Sequence, residues 1–139
     1  MGIRYKLVER KDMTAGALEG AKLYYPQLMD NGRVSFEKLC DEVAEQSALT
    51  SGDVKNAVDR LVHCIAGHLA DGQSVDVGDL GSFRISLRSS GSESAKDYSV
   101  NTMMRTPNIV FTPGVKLRKM RKEAKFERFE IKPSGGSEE

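Results

Sequence analysis

Apolar and polar residues alternate on both sides of the segment GDLGSF, residues 78–83. The apolar members of this alternation are Val75, Val77, Phe83, Ile85 and Leu87. A period of two indicates half-buried strands. Gly78 and Gly81 can adopt positive φ without a Cβ clash, so they suit a tight turn between the strands. The pattern predicts a strand, a turn and a second strand that continues into a polar segment.

Upstream of these strands the apolar spacing becomes helical. Ser35 is a good N-cap for a helix that we expect to end near Ala48. Thr50, with Asp53 three residues later, has the spacing of a capping box, and Gly72 suits the end of this second, longer helix. Their apolar stripes comprise Phe36, Leu39, Cys40, Val43 and Ala44 in the first helix, and Val54, Ala57, Val58, Leu61, Val62, Ile65 and Leu69 in the second. The sequence therefore predicts an αα-hairpin that leads into the sheet.

The two ends of the chain predict further strands. Residues 3–8 alternate, and residues 13–29 predict a loop followed by an extended piece at 22–28, with a turn at 31–32. Pro26 is expected to end any regular ladder. Phe126, Phe129 and Ile131 suggest a last strand, whose Glu127 and Glu130 would face Arg4 and Lys6. Residues 133–139 are of low complexity and are expected to be disordered.

The segment between the second GDLGSF strand and Ile109 is long and polar. Residues 89–102 are rich in Ser and Gly, yet extended residues lead into and out of the segment. We therefore predict an antiparallel arm with a mobile tip near residues 95–98. A short basic helix, 115–124, should follow, with Leu117 and Met120 facing inward.

The net charge of +1 conceals an asymmetry along the chain. Residues 1–81 carry 9 Lys and Arg against 13 Asp and Glu, whereas residues 82–132 carry 12 against 5. A basic second half indicates contact with a polyanion, most often a nucleic-acid backbone. The 39% apolar content, with 6% aromatic residues and no Trp, indicates a thin core that a partner chain would complete.

Other chemistry has little support in the sequence. Cys40 and Cys64, in a chain with no signal peptide, indicate a reducing compartment and a soluble, cytoplasmic protein. Cys64 and His68 have a spacing that could place two metal ligands on one helix face, but no further ligand is apparent. We expect instead a buried thiol and a surface histidine. No catalytic set, cofactor motif or small-molecule site is evident, and the protein is not expected to be an enzyme.

The order of elements resembles the HU/IHF family of histone-like DNA-binding proteins, over residues 34–124. The resemblance depends on LCDEVAEQSALTSGDVKNAVDRLV for the helical hairpin, VDVGDLGSFRI for the sheet turn and VFTPGVKLRK for the return into the last helix. The chain looks like an extended branch of that family, with an N-terminal segment at residues 1–33, an HU-like domain at 34–132 and a Gly-containing tail at 133–139.

The resemblance implies an α+β fold and an intertwined homodimer whose β-arms bind double-stranded DNA. It implies an architectural, nucleoid-associated protein that condenses DNA largely without sequence preference, in the cytoplasm and without a cofactor or membrane partner. Arg118 matches the basic position after the leucine of the family's last helix. The DNA-binding residues implied are Arg84, Arg88, Lys96, Arg105, Lys116, Arg118, Lys119, Arg121 and Lys122.

The arm tip departs from the family. Its sequence, ESAKDYS, lacks the proline that wedges between base pairs in typical members. Val100, Met103 or Met104 could act as apolar wedges, although packing within the arm is the simpler interpretation. The altered tip and the near-neutral net charge leave one alternative open, an HU-like structural or protein-interaction module that does not bind DNA.

Overall fold

A computed structural model of the chain describes residues 2–130. They form an α+β fold with four helices, six strands and a 3-10 turn at Gly78–Leu80. In chain order the elements are β1 (Ile3–Lys11), β2 (Lys22–Leu28), α1 (Phe36–Glu45), α2 (Ser51–Ala70), β3 (Val75–Asp76), β4 (Gly81–Ser86), α3 (Val100–Met103), β5 (Asn108–Pro113), α4 (Val115–Glu123) and β6 (Phe126–Arg128). They divide into two units, Val34–Lys122 and the described residues that flank it.

The flanking unit is a three-stranded sheet of order β2-β1-β6. β1 pairs antiparallel with β2 and parallel with β6, and Arg4 is the Cα partner of Glu127. The predicted strands at both ends are therefore present, and Arg4 faces Glu127 as expected. The last strand is shorter than predicted: Phe129 and Glu130 lie beyond it, and the Glu130 carboxylate is 3.4 Å from Arg128 Nε and not opposite Lys6. Ile131 and the tail lie outside the described residues. The expectation for Pro26 is wrong, because the ladder passes through it opposite Leu7. β2 is an edge strand, where a residue without an amide hydrogen is tolerated.

The larger unit begins with the predicted helical hairpin. The Ser35 hydroxyl accepts from the backbone N–H of Lys38 at 3.1 Å and caps α1. The Thr50 hydroxyl and the Asp53 carboxylate accept from each other's backbone N–H, each at 3.1 Å, which closes the predicted capping box on α2. Gly72 follows with φ of +79°. Local sequence therefore sets both helix starts and the end of α2.

The second sheet has the order β3-β4-β5 and is antiparallel throughout. The ladder between β4 and β5 runs from Gly81, opposite Pro113, to Ser86, opposite Asn108. Beyond it, Ser89 and Met104 form an isolated bridge, and α3 occupies part of the segment expected to be extended. Within the described residues, the continuous ladder is therefore shorter than the predicted arm.

The apolar stripes of the hairpin are less buried than their periodicity predicted. Among the described hydrophobic residues, only Cys40, Val54 and Leu69 are buried. Phe36, Leu39, Val43, Leu61 and Val62 are exposed, as are the Cys64 thiol, expected to be buried, and Met120, expected to face inward. Helical periodicity identifies the apolar face of a helix but not what covers that face. No other element among residues 2–130 covers these side chains. Across residues 2–130, no helix has both the length and the apolar character needed to cross a bilayer.

Candidate nucleic-acid interface

The β4–β5 ladder has one polar face and one apolar face. Phe83 of β4 and Phe111 of β5 are paired, with ring centroids 5.0 Å apart. Side chains alternate along a strand, so Ser82 and Arg84 project from the opposite face, and Thr112 pairs with Ser82 on that side. The Arg84 side chain thus emerges from a rigid strand between hydroxyl groups.

Two glycines allow α4 to begin against the GDLGSF turn. The Gly114 N–H donates to the Leu80 carbonyl oxygen at 3.0 Å, and the Arg118 N–H donates to the Gly114 oxygen at 2.9 Å. A Cβ at Gly81 would overlap the Thr112 carbonyl oxygen, and one at Gly114 would overlap the Asp79 carbonyl oxygen. The absence of both side chains therefore lets the first turn of α4 lie beside the start of β4.

This close approach brings Arg84 and Arg118 to the same concave surface. A cavity of about 470 Å³ is lined by both arginines together with Ser82 and Thr112, and also by one acidic residue, Asp76, whose Oδ1 accepts from the Gly78 N–H. We call the two arginines and the two hydroxyl residues the arginine cleft. Two guanidinium groups and two hydroxyls offer donors of the kind that bind phosphate oxygens. Neither arginine has a carboxylate within ion-pair distance among residues 2–130.

The remaining predicted cations fall into three groups. Lys116, Lys119, Arg121 and Lys122 are exposed along α4, and Lys116 Nζ lies 3.8 Å from Asp79 Oδ2. Arg88 and Arg105 adjoin each other, because the Arg105 N–H donates to the Arg88 carbonyl oxygen at 2.9 Å. Arg88 Nε also donates to the Thr106 carbonyl oxygen at 3.2 Å. Lys96 lies apart from both groups, in an exposed turn of the tip.

The sequence of the chain matches the model of a known protein family. A family model described as "HU domain fused to wHTH, Ig, or Glycine-rich motif", HU-HIG, matches residues 1–128. The chain belongs to the HU-HIG family. The match includes the N-terminal sheet as well as the HU-like unit, so the extended branch expected from the sequence is confirmed.

Among solved structures, the HU-HIG chain is similar to one described as a "putative bacterial DNA binding protein" from Bacteroides vulgatus ATCC 8482. The two share 18% sequence identity with a TM-score of 0.67, over 95% of this chain and 50% of the other. At that identity the likeness shows the fold alone, and the HU-HIG chain spans about half the length of its neighbour. No curated protein sequence matches the chain.

The segment between β4 and β5 contains an interaction that sequence analysis missed. We call residues 89–104 the tip lobe. The Tyr98 hydroxyl lies 2.5 Å from Ser89 Oγ and contacts Met104 Sδ at 3.8 Å, while the Ser90 N–H donates to the Met103 carbonyl oxygen at 3.3 Å. The one sequence feature that marks this site is a single aromatic residue within a Ser- and Gly-rich segment.

The wedge candidates of the tip lobe differ in exposure. Met103 and Met104 are half-buried, whereas Val100 is exposed at the start of α3. The two methionines therefore pack within the lobe, as the simpler interpretation of the sequence had it.

The cysteine and histidine pair of α2 has ordinary surroundings. His68 Nδ1 lies 2.8 Å from Gln73 Oε1, just beyond the end of the helix. Among residues 2–130, no group of three or more His, Cys, Asp or Glu side chains is placed to hold a metal ion.

Proposed function

We propose that this HU-HIG chain is an architectural protein that binds double-stranded DNA largely without sequence preference, as a homodimer associated with the nucleoid. The observation that carries the proposal is the arginine cleft. There, guanidinium groups from a strand and a helix converge on one concave surface beside the exposed lysines and arginine of α4. Cations beside hydroxyl donors can bind phosphate oxygens, and such contacts do not distinguish one base sequence from another.

The charge distribution supports contact with the phosphate backbone over base reading. α4 carries five Lys and Arg residues against one acidic residue, Glu123. Cations that neutralise phosphates release condensed counterions, so affinity falls steeply with salt. Binding through these groups should therefore depend strongly on salt and weakly on sequence.

A titration with random-sequence duplex at two salt concentrations tests the proposal. Arg84→Ala and Arg118→Ala should each make the slope of log K against log salt less negative, by about 0.9 for each phosphate that the variant no longer neutralises. Arg60→Ala is the matched control, because Arg60 lies on α2 and its guanidinium Nη2 is already 2.8 Å from Asp59 Oδ2. Absence of binding by the unaltered chain at low salt would overturn the proposal.

Dimerisation is proposed from the exposed apolar faces of the hairpin. Phe36 and Leu39 of α1 are 51% and 52% exposed, and Val62 of α2 is 59% exposed. Fully burying an exposed side chain of this kind contributes roughly 1.5–3 kcal/mol, so covering the exposed half of each contributes roughly half of that. In a two-fold homodimer this apolar face of one copy would contact the same face of the other. This arrangement agrees with the intertwined dimer that the HU resemblance implies.

One observation favours the alternative, a structural module without DNA binding. The tip lobe carries Glu93 and Asp97 against a single Lys96, and its half-buried methionines pack inside it. A lobe of this kind is better suited to contacting the surface of another protein than to inserting a side chain between two base pairs. The same titration separates the two functions, because a protein-interaction module would leave duplex DNA unbound at low salt.

A further inference from the structure

One face of the N-terminal sheet, β2-β1-β6, holds a cluster of apolar residues that the other face lacks. Alternation along β1 and its register with β2 and β6 place six residues on one side: Ile3, Tyr5, Leu7, Pro26, Leu28 and Phe126. These residues line an apolar cavity of about 560 Å³. The same register places Glu9, Lys11, Lys22 and Arg128 on this side as well, beyond the apolar cluster. We call this side the apolar face.

The other side of the same sheet carries a row of positive charge. Arg4, Lys6 and Arg10 lie on one side of β1, with Val8 between the last two, and Leu23, Tyr25 and Gln27 of β2 share that side. We call this side the basic face. Lys6 and Arg10 are exposed. None of the three cations has a carboxylate within ion-pair distance among residues 2–130.

Two neighbouring groups modify this charge without cancelling it. Glu127 is the Cα partner of Arg4 and the one acidic residue on the basic face within the described strands, which leaves two positive charges in excess. The Arg4 guanidinium lies 5.4 Å from the centre of the Phe129 ring, which fixes its position. The Lys22–Glu9 ion pair, at 3.3 Å, lies on the apolar side.

The apolar face determines which side of the sheet meets water. A small sheet needs one covered face to be stable, and the apolar face is the side that gains free energy when it is covered. The basic face is therefore the side presented to solvent, whichever layer covers the other. A solvent-facing row of cations from alternate strand positions is a surface that attracts polyanions.

We propose that the basic face is a second phosphate-binding surface for duplex DNA, separate from the arginine cleft. This inference rests on the proposed function and extends it to the N-terminal sheet. Arg4 and Arg10 are six residues apart, which corresponds to about 20 Å along a strand at roughly 3.3 Å per residue. Over that length one DNA strand presents about six phosphates. Three cations can therefore reach separate phosphates without bending the sheet.

The test uses the full chain and a random-sequence duplex, titrated at about 50 mM and 200 mM salt. The variant is Lys6→Ala with Arg10→Ala. The matched control is Lys11→Ala with Lys22→Ala, which removes the same charge from the same hairpin on the opposite face. Each chain that contacts the duplex would neutralise two fewer phosphates, so the salt slope should become less negative by about 1.8 per chain. The drop in affinity between the two salts should then shrink about twelvefold per chain.

A second variant keeps the result independent of folding. Lys6→Gln with Arg10→Gln retains much of each side-chain stem and should reproduce the effect, with an unchanged circular dichroism spectrum. Equal slopes for the basic-face variant and its control would overturn the inference. If the unaltered chain binds DNA and Arg84→Ala weakens that binding, the proposed function would survive such a result. If the unaltered chain does not bind, both fail.

Discussion

Replacing Gly114 by alanine should destabilise the fold at the junction that forms the arginine cleft. An added Cβ would lie 2.6 Å from the Asp79 carbonyl carbon and 2.9 Å from the Gly81 amide nitrogen, and would overlap the Asp79 oxygen. All three atoms are backbone, so no side-chain rotation relieves the contact. Forcing one extra carbon into a well-packed site costs roughly 1–3 kcal/mol.

Three other glycines separate this steric effect from backbone strain. Gly81→Ala should suffer both backbone strain and a steric clash, because the φ of Gly81 is +141° and a Cβ would lie 2.8 Å from the Phe111 ring. We expect this variant to lose roughly 2–5 kcal/mol of unfolding free energy. Gly78 has φ of +65° with no atom within 4 Å of a Cβ, which predicts strain alone, roughly 1–2 kcal/mol. Gly67 lies within α2 with open space around it, so alanine there should stabilise by roughly 1 kcal/mol.

Urea denaturation at one fixed protein concentration measures these free energies of unfolding, with helical circular dichroism as the probe because the chain lacks Trp. Gly114→Ala should also weaken duplex binding, since it displaces Arg118 from Arg84. A Gly114→Ala variant as stable as Gly67→Ala would refute the claim that close backbone approach builds the cleft.

Four further outcomes are expected. Thr50→Ala should cost about 1 kcal/mol of unfolding free energy through loss of the α2 cap, and an unchanged urea midpoint would contradict this. The Thr50 backbone N–H, donating to the Asp53 carboxylate, lowers the pKa of Asp53. The stability from this bond is therefore present above the ordinary carboxyl pKa of about 4 and is lost as pH falls through the lower folded pKa. In urea titrations repeated at acidic pH values, Asp53→Asn should remove this contribution to the pH dependence of the unfolding free energy. If the proposed homodimer forms through this face, Val62→Asp should convert it to a 15.3 kDa species in sedimentation equilibrium, because it would bury an unpaired charge in each copy. An unchanged dimer mass would exclude this face. Tyr98→Phe should speed hydrogen exchange of tip-lobe amides about fivefold while α2 amides stay unchanged, since one hydrogen bond to Ser89 is worth about 1 kcal/mol, and equal rates would show that this bond does not close the lobe.

Features determined by residues close in sequence could be predicted from the sequence alone. The Ser35 cap, the Thr50 capping box and the turn at Gly78 and Gly81 each depend on side chains or φ angles within four residues of one another. The pairing of Arg4 with Glu127 is a long-range exception, suggested by opposite charges on two alternating strands. The parallel direction of that pairing was not predicted.

Features determined by distant contacts escaped prediction. Pro26 suggested a broken ladder because its place at a sheet edge depends on strand order, which the local pattern does not encode. The tip lobe depends on Tyr98 reaching Ser89 across nine residues of polar sequence. The arginine cleft requires α4 to meet the β4 turn, and the paired glycines became interpretable only once that approach was visible.

The contrast between the cleft and the tip lobe bears on how the DNA would be held. A wedge that kinks DNA must leave its own packing and enter a base step, and unstacking that step costs a few kcal/mol. Met104 is half-buried and contacts the Tyr98 hydroxyl, so its release would add the cost of disrupting that packing. The arginine cleft would need no such rearrangement, because the backbones of Arg84 and Arg118 lie in a strand and a helix and both side chains are exposed. Contact with the phosphate backbone is therefore the binding mode that would need the least rearrangement of the tip lobe.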